Sequence, residues 1–510
     1  MLKKILTSSL FSLVILSGCA QAENFNDKAP EQLPTTANGL KVLFDNTHGQ
    51  TAGAADWVID GAFSDFGQGL MHRGYAVKEL RKNTPIVLSD LQSYDAFVIP
   101  EANIPFKATE QAALVSYVKA GGSVFFIADH YNADRNLNRF DSSEVFNGYR
   151  RGAYSAPTKG MTTEERQSSR MSGVTGSDWL SNNFGVRFRY NALNNIDATH
   201  VVSTIDSFGI TKNVSHVAMH AGSTIAITNP DIAKGIVYLP DGLTSSDKWG
   251  PGVDQGVYFG GGVAEGAYVA ISKVGLGKAA FIGDSSMVED ATSKYKREDN
   301  GQTKTTYDGY KEADDATLLN NLVDWLTKDE SYTTFKEKGI KLDEVSPQLA
   351  TENPATSTEP EHEPWGTPAS GYKWYDESTF KSGSYGYGTA APAPTPASPV
   401  TSKYDFIVPV ITNGTEFNLT LQLNGLTPNT LYSDLKVGIY NTSGTQLGSF
   451  YMNGSWSPVG YSPSFSAKTD ASGNAIVLLK TKTIKGQTGT ASIRLKKGTT
   501  SLYTETTAIK

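Results

Sequence analysis

The sequence has very little cysteine: Cys19 is the only one among 510 residues. Disulfides therefore cannot stabilise the chain, and its domains must depend on buried cores. After residue 20, no apolar run reaches the roughly 20 residues that a membrane-spanning helix needs. No glycine-rich loop is followed by Lys-Ser/Thr, and no Gly-x-Ser-x-Gly elbow is present. These absences exclude a P-loop nucleotide site and the serine-hydrolase elbow.

The first residues have the composition of an export signal. Lys3 and Lys4 precede a short apolar stretch at 5–15, which is too short to span a bilayer. The sequence Leu-Ser-Gly-Cys that ends at Cys19 resembles a lipobox, where a signal peptidase cuts before a lipidated cysteine. We therefore expect residues 1–19 to be a lipoprotein signal peptide and the protein to be exported and lipid-anchored to a membrane of the cell envelope. The alternative is an ordinary secretory signal with a chance cysteine.

Charge is unevenly distributed along the chain. The net charge of -7 argues against a general nucleic-acid binder. The last part, 403–510, nevertheless carries 10 Lys and Arg residues against 5 Asp and Glu residues, a balance of +5. A modest basic surface of this kind could help to retain a polyanion.

An alternation of strands and helices follows a polar tether at 20–38. Short apolar runs predict buried strands at 41–45, 75–80, 95–100, 123–128 and 278–283. Helical spacing predicts helices at 54–72, from Thr109 onward, and at 314–327. This order indicates an α/β domain over 39–330, with a doubly wound, mostly parallel sheet of the flavodoxin or amidotransferase type. A long insertion, rich in Asn, Gly and Ser, interrupts it at about 130–275.

The composition changes beyond the α/β domain. Residues 331–402 are rich in Pro, Gly, Ser and Tyr, and we expect a linker there. From 403 the hydrophobic pattern alternates with period two, as in Phe417, Leu419, Leu421 and Leu423. Turn signals separate such runs, which predicts an all-β sandwich or barrel at 403–510.

Polar residues follow four of the predicted strands. Because ligands of doubly wound sheets bind at the carboxyl ends of the strands, we expect these side chains to meet. Carboxylates and imidazoles together suit a divalent metal such as Mg, Mn or Zn. The predicted metal ligands are Asp45, His48, Asp129, His130 and Asp284. The alternative is a hydrogen-bonded polar rim without chemistry.

Other residues near these strand ends could bind substrate. Arg135 and Arg139 could hold a phosphate or sugar hydroxyls, although their charges could instead pair with neighbouring acidic residues. Ser285 could bind substrate, or act as a nucleophile with His48 or His130 as its base. His220, in the insertion, could close over the strand edge, although a buried core histidine is an equal alternative.

The order of elements resembles a known superfamily. Strand, helix, strand, Phe97-Val-Ile-Pro100, helix and Gly121-Gly-Ser-Val-Phe-Phe-Ile-Ala128 are similar to the class I glutamine amidotransferase-like superfamily. Its amidotransferases carry a cysteine elbow after the last of these strands, whereas the turn here reads Ala128-Asp-His130, so cysteine chemistry is excluded. The trehalose-utilisation (ThuA-like) branch also lacks the cysteine and has a histidine near this turn. This resemblance implies a functional role for His130.

A second resemblance concerns exported bacterial proteins labelled DNA-binding protein or endonuclease. It depends on Phe44-Asp-Asn-Thr-His-Gly-Gln-Thr-Ala-Gly-Ala-Ala-Asp-Trp57, Ile282-Gly-Asp-Ser-Ser286 and Thr306-Tyr-Asp-Gly309, and it covers about 39–385. It implies a phosphodiesterase or nuclease but assigns no catalytic residue. Together with the residues at the strand ends, it leads us to expect an envelope-anchored metal-dependent hydrolase with His130, Asp129 and Asp284 as catalytic residues. The alternatives are a non-catalytic lipoprotein that binds carbohydrate or nucleic acid, and a carbohydrate-active enzyme that uses the same pocket.

Overall fold

The structure is a computed structural model that describes residues 23–389, 403–408, 411–452, 454–469, 473 and 475–510. The predicted signal peptide, its lipidation site Cys19 and the end of the predicted linker lie outside the described residues. Among the residues that are described, none of the helices combines the length and the apolar character needed to cross a bilayer.

The first region, 23–389, is mixed α/β. Its strands are β1 (Glu31–Gln32), β2 (Lys41–Asp45), β3 (Ala76–Leu80), β4 (Ala96–Ile99), β5 (Ser123–Ile127), β6 (Val186–Phe188), β7 (Ile196–Ala198), β8 (His200–Val201), β9 (Val217–Met219), β10 (Ile225–Ile227), β11 (Ala233–Tyr238), β12 (Ala267–Val274) and β13 (Gly277–Ile282). Its helices are α1 (Ser64–His72), α2 (Leu88–Leu91), α3 (Ala108–Lys119), α4 (Ser142–Asn147), α5 (Thr163–Arg166), α6 (Trp179–Phe184), α7 (Gly262–Glu265), α8 (Asp315–Leu326) and α9 (Phe335–Lys338). Short 3-10 helices lie at Ser245–Asp247, Gly309–Lys311, Ala350–Glu352 and Glu377–Thr379.

One large sheet organises this region. Its strand order is β1-β3-β2-β4-β5-β13-β12-β10-β6, with β11 paired to β12 and β8 paired to β11. The five strands from β3 to β13 in this order are parallel, whereas the strands beyond them are antiparallel. The insertion predicted at 130–275 supplies β6, β8, β10, β11 and β12. It therefore extends the main sheet instead of forming a separate body.

The central strands are apolar at nearly every position because both faces of the sheet are covered. Val42 and Phe44 of β2 face one core, which also contains the inner sides of α1 and α8. Leu43 faces a second core, built around α3. The same alternation holds along β4, β5 and β13. Helices on both faces therefore bury a parallel sheet, as the continuous apolar runs predict.

The first helix is shorter than predicted. The expected helix at 54–72 begins only at Ser64, and the preceding residues form turns. Asp56 is fully buried there, and one carboxylate oxygen accepts a 2.8 Å hydrogen bond from Nζ of Lys304. Its other oxygen accepts backbone N–H bonds from Lys294 and Tyr295. These tertiary contacts outweigh the helical spacing of the segment.

The predicted linker packs against the α/β region through residue 389. Phe335 lies in the core on one face of the sheet, and Tyr372 and Trp374 lie in the core on the other. Glu352 forms a buried ion pair with Arg189 at 2.9 Å. The Pro, Gly and Ser content predicts a linker, whereas the aromatic residues of the stretch 371–375 also suggest docking on a domain, and two of them supply buried contacts here.

The C-terminal region is β-rich. Its strands are β14 (Tyr404–Ile407), β15 (Glu416–Leu423), β16 (Leu431–Asn441), β17 (Gly448–Met452), β18 (Ser455–Trp456), β19 (Phe465–Lys468), β20 (Ala475–Thr483), β21 (Gly489–Lys497) and β22 (Thr500–Ile509). They form two antiparallel sheets, β14-β15-β20-β17-β18 and β19-β16-β21-β22. Leu419 and Leu421 from one sheet and Val437 and Ile439 from the other share one hydrophobic core. The period-two pattern thus identified the inner faces.

Candidate functional site

The carboxyl ends of the parallel strands bring several predicted residues to one edge of the sheet. Asp45 ends β2, Asp129 and His130 follow β5, and Asp284 follows β13. Glu101 follows β4, which lies between β2 and β5. All five side chains are buried. The structure divides them between two separate groups with different chemistry.

The first group is a set of buried acidic side chains around one arginine. We call it the carboxylate cluster, and it comprises Glu101, Asp129, Asp284 and Glu289. Nε of Arg135 donates to Glu101 at 3.0 Å, and the same guanidinium contacts Asp129. Oγ of Ser285 donates to the second oxygen of Glu101 at 2.9 Å. Nε1 of Trp57 donates to Glu289 at 2.7 Å. Three strand ends and an indole thus converge on one acidic site.

Burial keeps protons on this cluster near neutral pH. Desolvation raises the pKa of Glu101 to about 7, against the lowering effect of Arg135. Desolvation likewise raises the pKa of Asp129 to about 6. The pKa of Asp284 is raised well above its usual value by burial and by the nearby charge of Asp129, and the pKa of Glu289 is raised by burial. One arginine cannot neutralise four buried carboxylates, so the cluster contains both protonated and ionised members.

A segment of the insertion covers Asp284. The backbone N–H of His220 donates to Asp284 at 2.6 Å, and the hydroxyl of Tyr268 donates to the same carboxylate at 3.2 Å. The imidazole ring of His220 does not contact Asp284. Its Nε2 lies 2.7 Å from Glu312, and the ring packs against Tyr307. His220 therefore closes over the strand edge through its backbone.

His130 is a buried neutral imidazole. Its Nδ1 lies 2.8 Å from the carbonyl oxygen of Tyr131, so Nδ1 carries the proton and donates. Burial, together with the nearby charge of Arg135, lowers the pKa of His130 to about 4. The ring centroid lies 4.0 Å from that of Trp249. Nε2 therefore retains a lone pair that can accept a proton or a hydrogen bond.

Asp45 and His48 form the second group, with Glu110 of α3. Nδ1 of His48 lies 2.8 Å from Asp45, and Nε2 lies 3.4 Å from Glu110. Although burial opposes it, these two carboxylates raise the pKa of His48 to about 9. The ring packs on Phe106 with centroids 4.1 Å apart. His48 is therefore a buried cation, and neither ring nitrogen has a lone pair to offer a metal.

The five predicted metal ligands do not form one ion site. His48 is engaged by Asp45 and Glu110, and Asp129 is engaged by Arg135. In the described part of the chain, no three His, Cys, Asp or Glu side chains are arranged to hold a metal ion. The prediction of a shared site for Mg, Mn or Zn at Asp45, His48, Asp129, His130 and Asp284 does not match this geometry.

The two arginines predicted to hold phosphate are paired with acidic groups. Arg135 contacts Glu101 and Asp129, and Arg139 contacts Glu165. Oγ of Ser285 donates to Glu101 and contacts neither His48 nor His130, so the structure gives no histidine-activated serine. Both arginines therefore match the alternative interpretation of the sequence, in which their charges pair with neighbouring acidic residues.

Glu101 and Glu289 are among the polar residues that follow predicted strands, although they are not among the predicted metal ligands. Two indoles of the site carry no local sequence signal. Trp249 lies in the insertion, far from β5 in sequence, and Trp57 lies in a segment predicted to be helical. Only the fold brings these two indoles to the strand edge.

Comparison with known proteins adds little. No protein-family model matches the chain, and no curated protein matches it. The solved structure titled mmIFT52 N-terminal domain is 12% identical over 57% of this chain and 99% of that chain, with a TM-score of 0.34. The Lin-41 filamin domain is 8% identical over 21% of this chain and 93% of that chain, with a TM-score of 0.14. Similarities this weak carry no argument, so the resemblance to the amidotransferase-like superfamily stays a prediction.

Proposed function

We propose that the carboxylate cluster and His130 form the acid–base site of an envelope hydrolase that acts on a carbohydrate. The observation that carries the proposal is the contact of Glu101 and Asp129 with one guanidinium, while burial raises both pKa values toward neutrality. Two carboxyl groups with pKa values near the working pH can supply one acid and one base.

The roles follow from the two environments. Glu101 has the higher pKa of the pair, about 7, and donates its proton to the leaving oxygen. Asp129 has the lower pKa, about 6, and its carboxylate accepts a proton from the attacking water. Arg135 contacts both groups and holds them together, which makes it a positioning residue.

The charge of the site favours a neutral substrate over a phosphodiester. The ionised members of the cluster repel an anion, and Arg135 and Arg139 are already paired. Sugar hydroxyls, in contrast, donate hydrogen bonds to carboxylates. The indole of Trp249, which packs on His130, offers an aromatic face of the kind on which sugar rings stack. The metal-dependent nuclease that the sequence suggested therefore has less support than a carbohydrate-active enzyme.

We also infer a fold type for each region. The parallel strand order β3-β2-β4-β5-β13, with helices on both faces, supports a doubly wound, flavodoxin-like domain. Two antiparallel sheets around one core support a β-sandwich at the C-terminus. Anchoring of the enzyme to the envelope depends on the lipobox at Cys19.

Hydrolysis of p-nitrophenyl glycosides by purified protein in EDTA tests the proposal. We expect activity that changes between about pH 6 and pH 7, and Glu101→Gln should lower kcat by about 10²- to 10⁴-fold because the proton donor is lost. Glu79→Gln is the matched control. Glu79, on β3, is also buried with a pKa raised to about 7, but it pairs with Arg81 and lies outside the cluster.

Two results would contradict the proposal. Cleavage of bis-p-nitrophenyl phosphate that requires an added divalent metal, without glycoside hydrolysis, would favour the nuclease. Saccharide binding without turnover of any glycoside would favour the non-catalytic lipoprotein.

A further inference from the structure

A cleft lies between the loop after β2 and residues 372–386. It encloses about 640 Å³ of empty space, which includes its open mouth. Its apolar walls are the rings of Phe25, Tyr372, Trp374, Phe380 and Tyr385. Arg135 points into the carboxylate cluster, whereas the next residue, Asn136, lines this cleft.

Four enclosed polar atoms along this cleft have no hydrogen-bond partner among the described residues. They are Oδ1 of Asn136, Nε of Arg170, Oε2 of Glu377 and the hydroxyl of Tyr385. Asn136 and Glu377 are more than nine-tenths buried. A buried polar group without a partner destabilises a fold, so such groups are rare unless something else satisfies them. Their concentration around one cavity points to a ligand that both donates and accepts hydrogen bonds.

The cations that line the cleft are both paired within the protein. Arg170 contacts Glu377, and Nζ of Lys82 lies 2.6 Å from Asp90. Glu298 accepts hydrogen bonds from the backbone N–H of Gly53, which supplies no counter-charge. Because neither cation of the lining is free, the cleft disfavours an anionic ligand and favours a neutral one.

We infer that this cleft binds a neutral saccharide, whose hydroxyls pair with the free polar atoms and whose ring faces pack on the aromatic walls. Hydroxyl groups both donate and accept, which matches the acceptor of Asn136, the donor of Arg170 and the hydroxyl of Tyr385. The inference goes beyond the proposed function because binding here requires no turnover.

Calorimetric titration of the purified full chain with maltotriose, cellotriose and triacetylchitotriose tests the inference. We expect at least one of these probes to bind. Tyr385→Phe keeps the ring, which packs on Tyr295, and removes only the unpartnered hydroxyl. It should weaken binding about tenfold, the effect of one buried hydrogen bond. Phe25→Ala, at a half-buried wall position, should also weaken binding.

Tyr332→Phe is the matched control, because Tyr332 also carries an enclosed, unpartnered hydroxyl but lies outside the cleft. It should bind the probe as the natural protein does. Failure of all three probes to bind would overturn the inference, as would unchanged affinity in both Tyr385→Phe and Phe25→Ala.

Discussion

At the scale of the residue, His48 is a buried cation between two carboxylates. Asp45 and Glu110 flank its ring nitrogens, and the side chain is almost inaccessible to solvent. Because the pKa of His48 in the folded protein, about 9, exceeds its usual value of 6.5, protonation of this residue stabilises the fold. That contribution is complete below about pH 6.5 and is lost as the pH rises through 9.

We expect His48→Gln to lower the free energy of unfolding by about 3 kcal/mol at pH 6, since the substitution leaves two buried carboxylates without their cation. The measurement is urea denaturation of both proteins at a series of pH values. The difference between them should shrink steadily from pH 6.5 to pH 9.5.

His216→Gln is the control for this substitution. His216 also pairs with a carboxylate, Asp197 at 3.0 Å, but both side chains are exposed. Its loss should change stability by less than about 1 kcal/mol, as for other surface ion pairs. A pH-independent effect of His48→Gln would show that His48 acts by packing and not by charge.

At the scale of the element, the strands of the parallel sheet were predictable and the tertiary contacts of the loops were not. The run at 41–45 coincides with β2, and the run at 123–128 matches β5 to within one residue, because the consecutive apolar residues at the centre of each run are buried on both faces of the sheet. The meeting of Asp129 and Asp284 followed from parallel strand ends alone. The role of His48 depends on Glu110, which lies on α3, five elements after β2, and sequence spacing does not predict that contact.

The segment after α8 contributes a buried ion pair that its Pro, Gly and Ser content does not predict. It contains Glu352, whose carboxylate lies 3.1 and 2.9 Å from one guanidinium nitrogen of the fully buried Arg189. We expect Glu352→Gln to lower the free energy of unfolding of the α/β region by about 3–5 kcal/mol, because Arg189 is then left as an unpaired buried charge. Thermal denaturation followed by tryptophan fluorescence measures this effect.

Glu361→Gln provides the comparison within the same segment, since Glu361 is exposed. Its effect should be within about 0.5 kcal/mol, as is usual for surface substitutions. Equal, small effects of the two substitutions would mean that the segment contributes nothing to the stability of the α/β region.

At the scale of the whole molecule, the chain builds its cores from separate stretches of sequence. Two cores flank the large sheet and draw on residues up to Tyr375 and Phe380. The core of the C-terminal region draws only on residues from Tyr404 to Ile509. A core whose members all come from one continuous stretch can form without the rest of the chain.

We therefore expect residues 403–510, expressed alone, to fold and to unfold cooperatively. Leu421→Ala, at a fully buried position of that core, should lower its stability by about 2–5 kcal/mol, because the substitution leaves a cavity. In the full chain, scanning calorimetry should show this substitution moving one transition to lower temperature while the transition of the α/β region stays in place.

Leu431→Ala is the matched control, because Leu431 belongs to the same region but is exposed. It should leave both transitions unchanged. If the isolated region lacked β structure by circular dichroism, or if Leu421→Ala moved both transitions together, the two regions would form one cooperative unit. Any ligand of the C-terminal region would then stabilise the α/β region as well, because a ligand that binds only the folded state stabilises the whole of a cooperative unit.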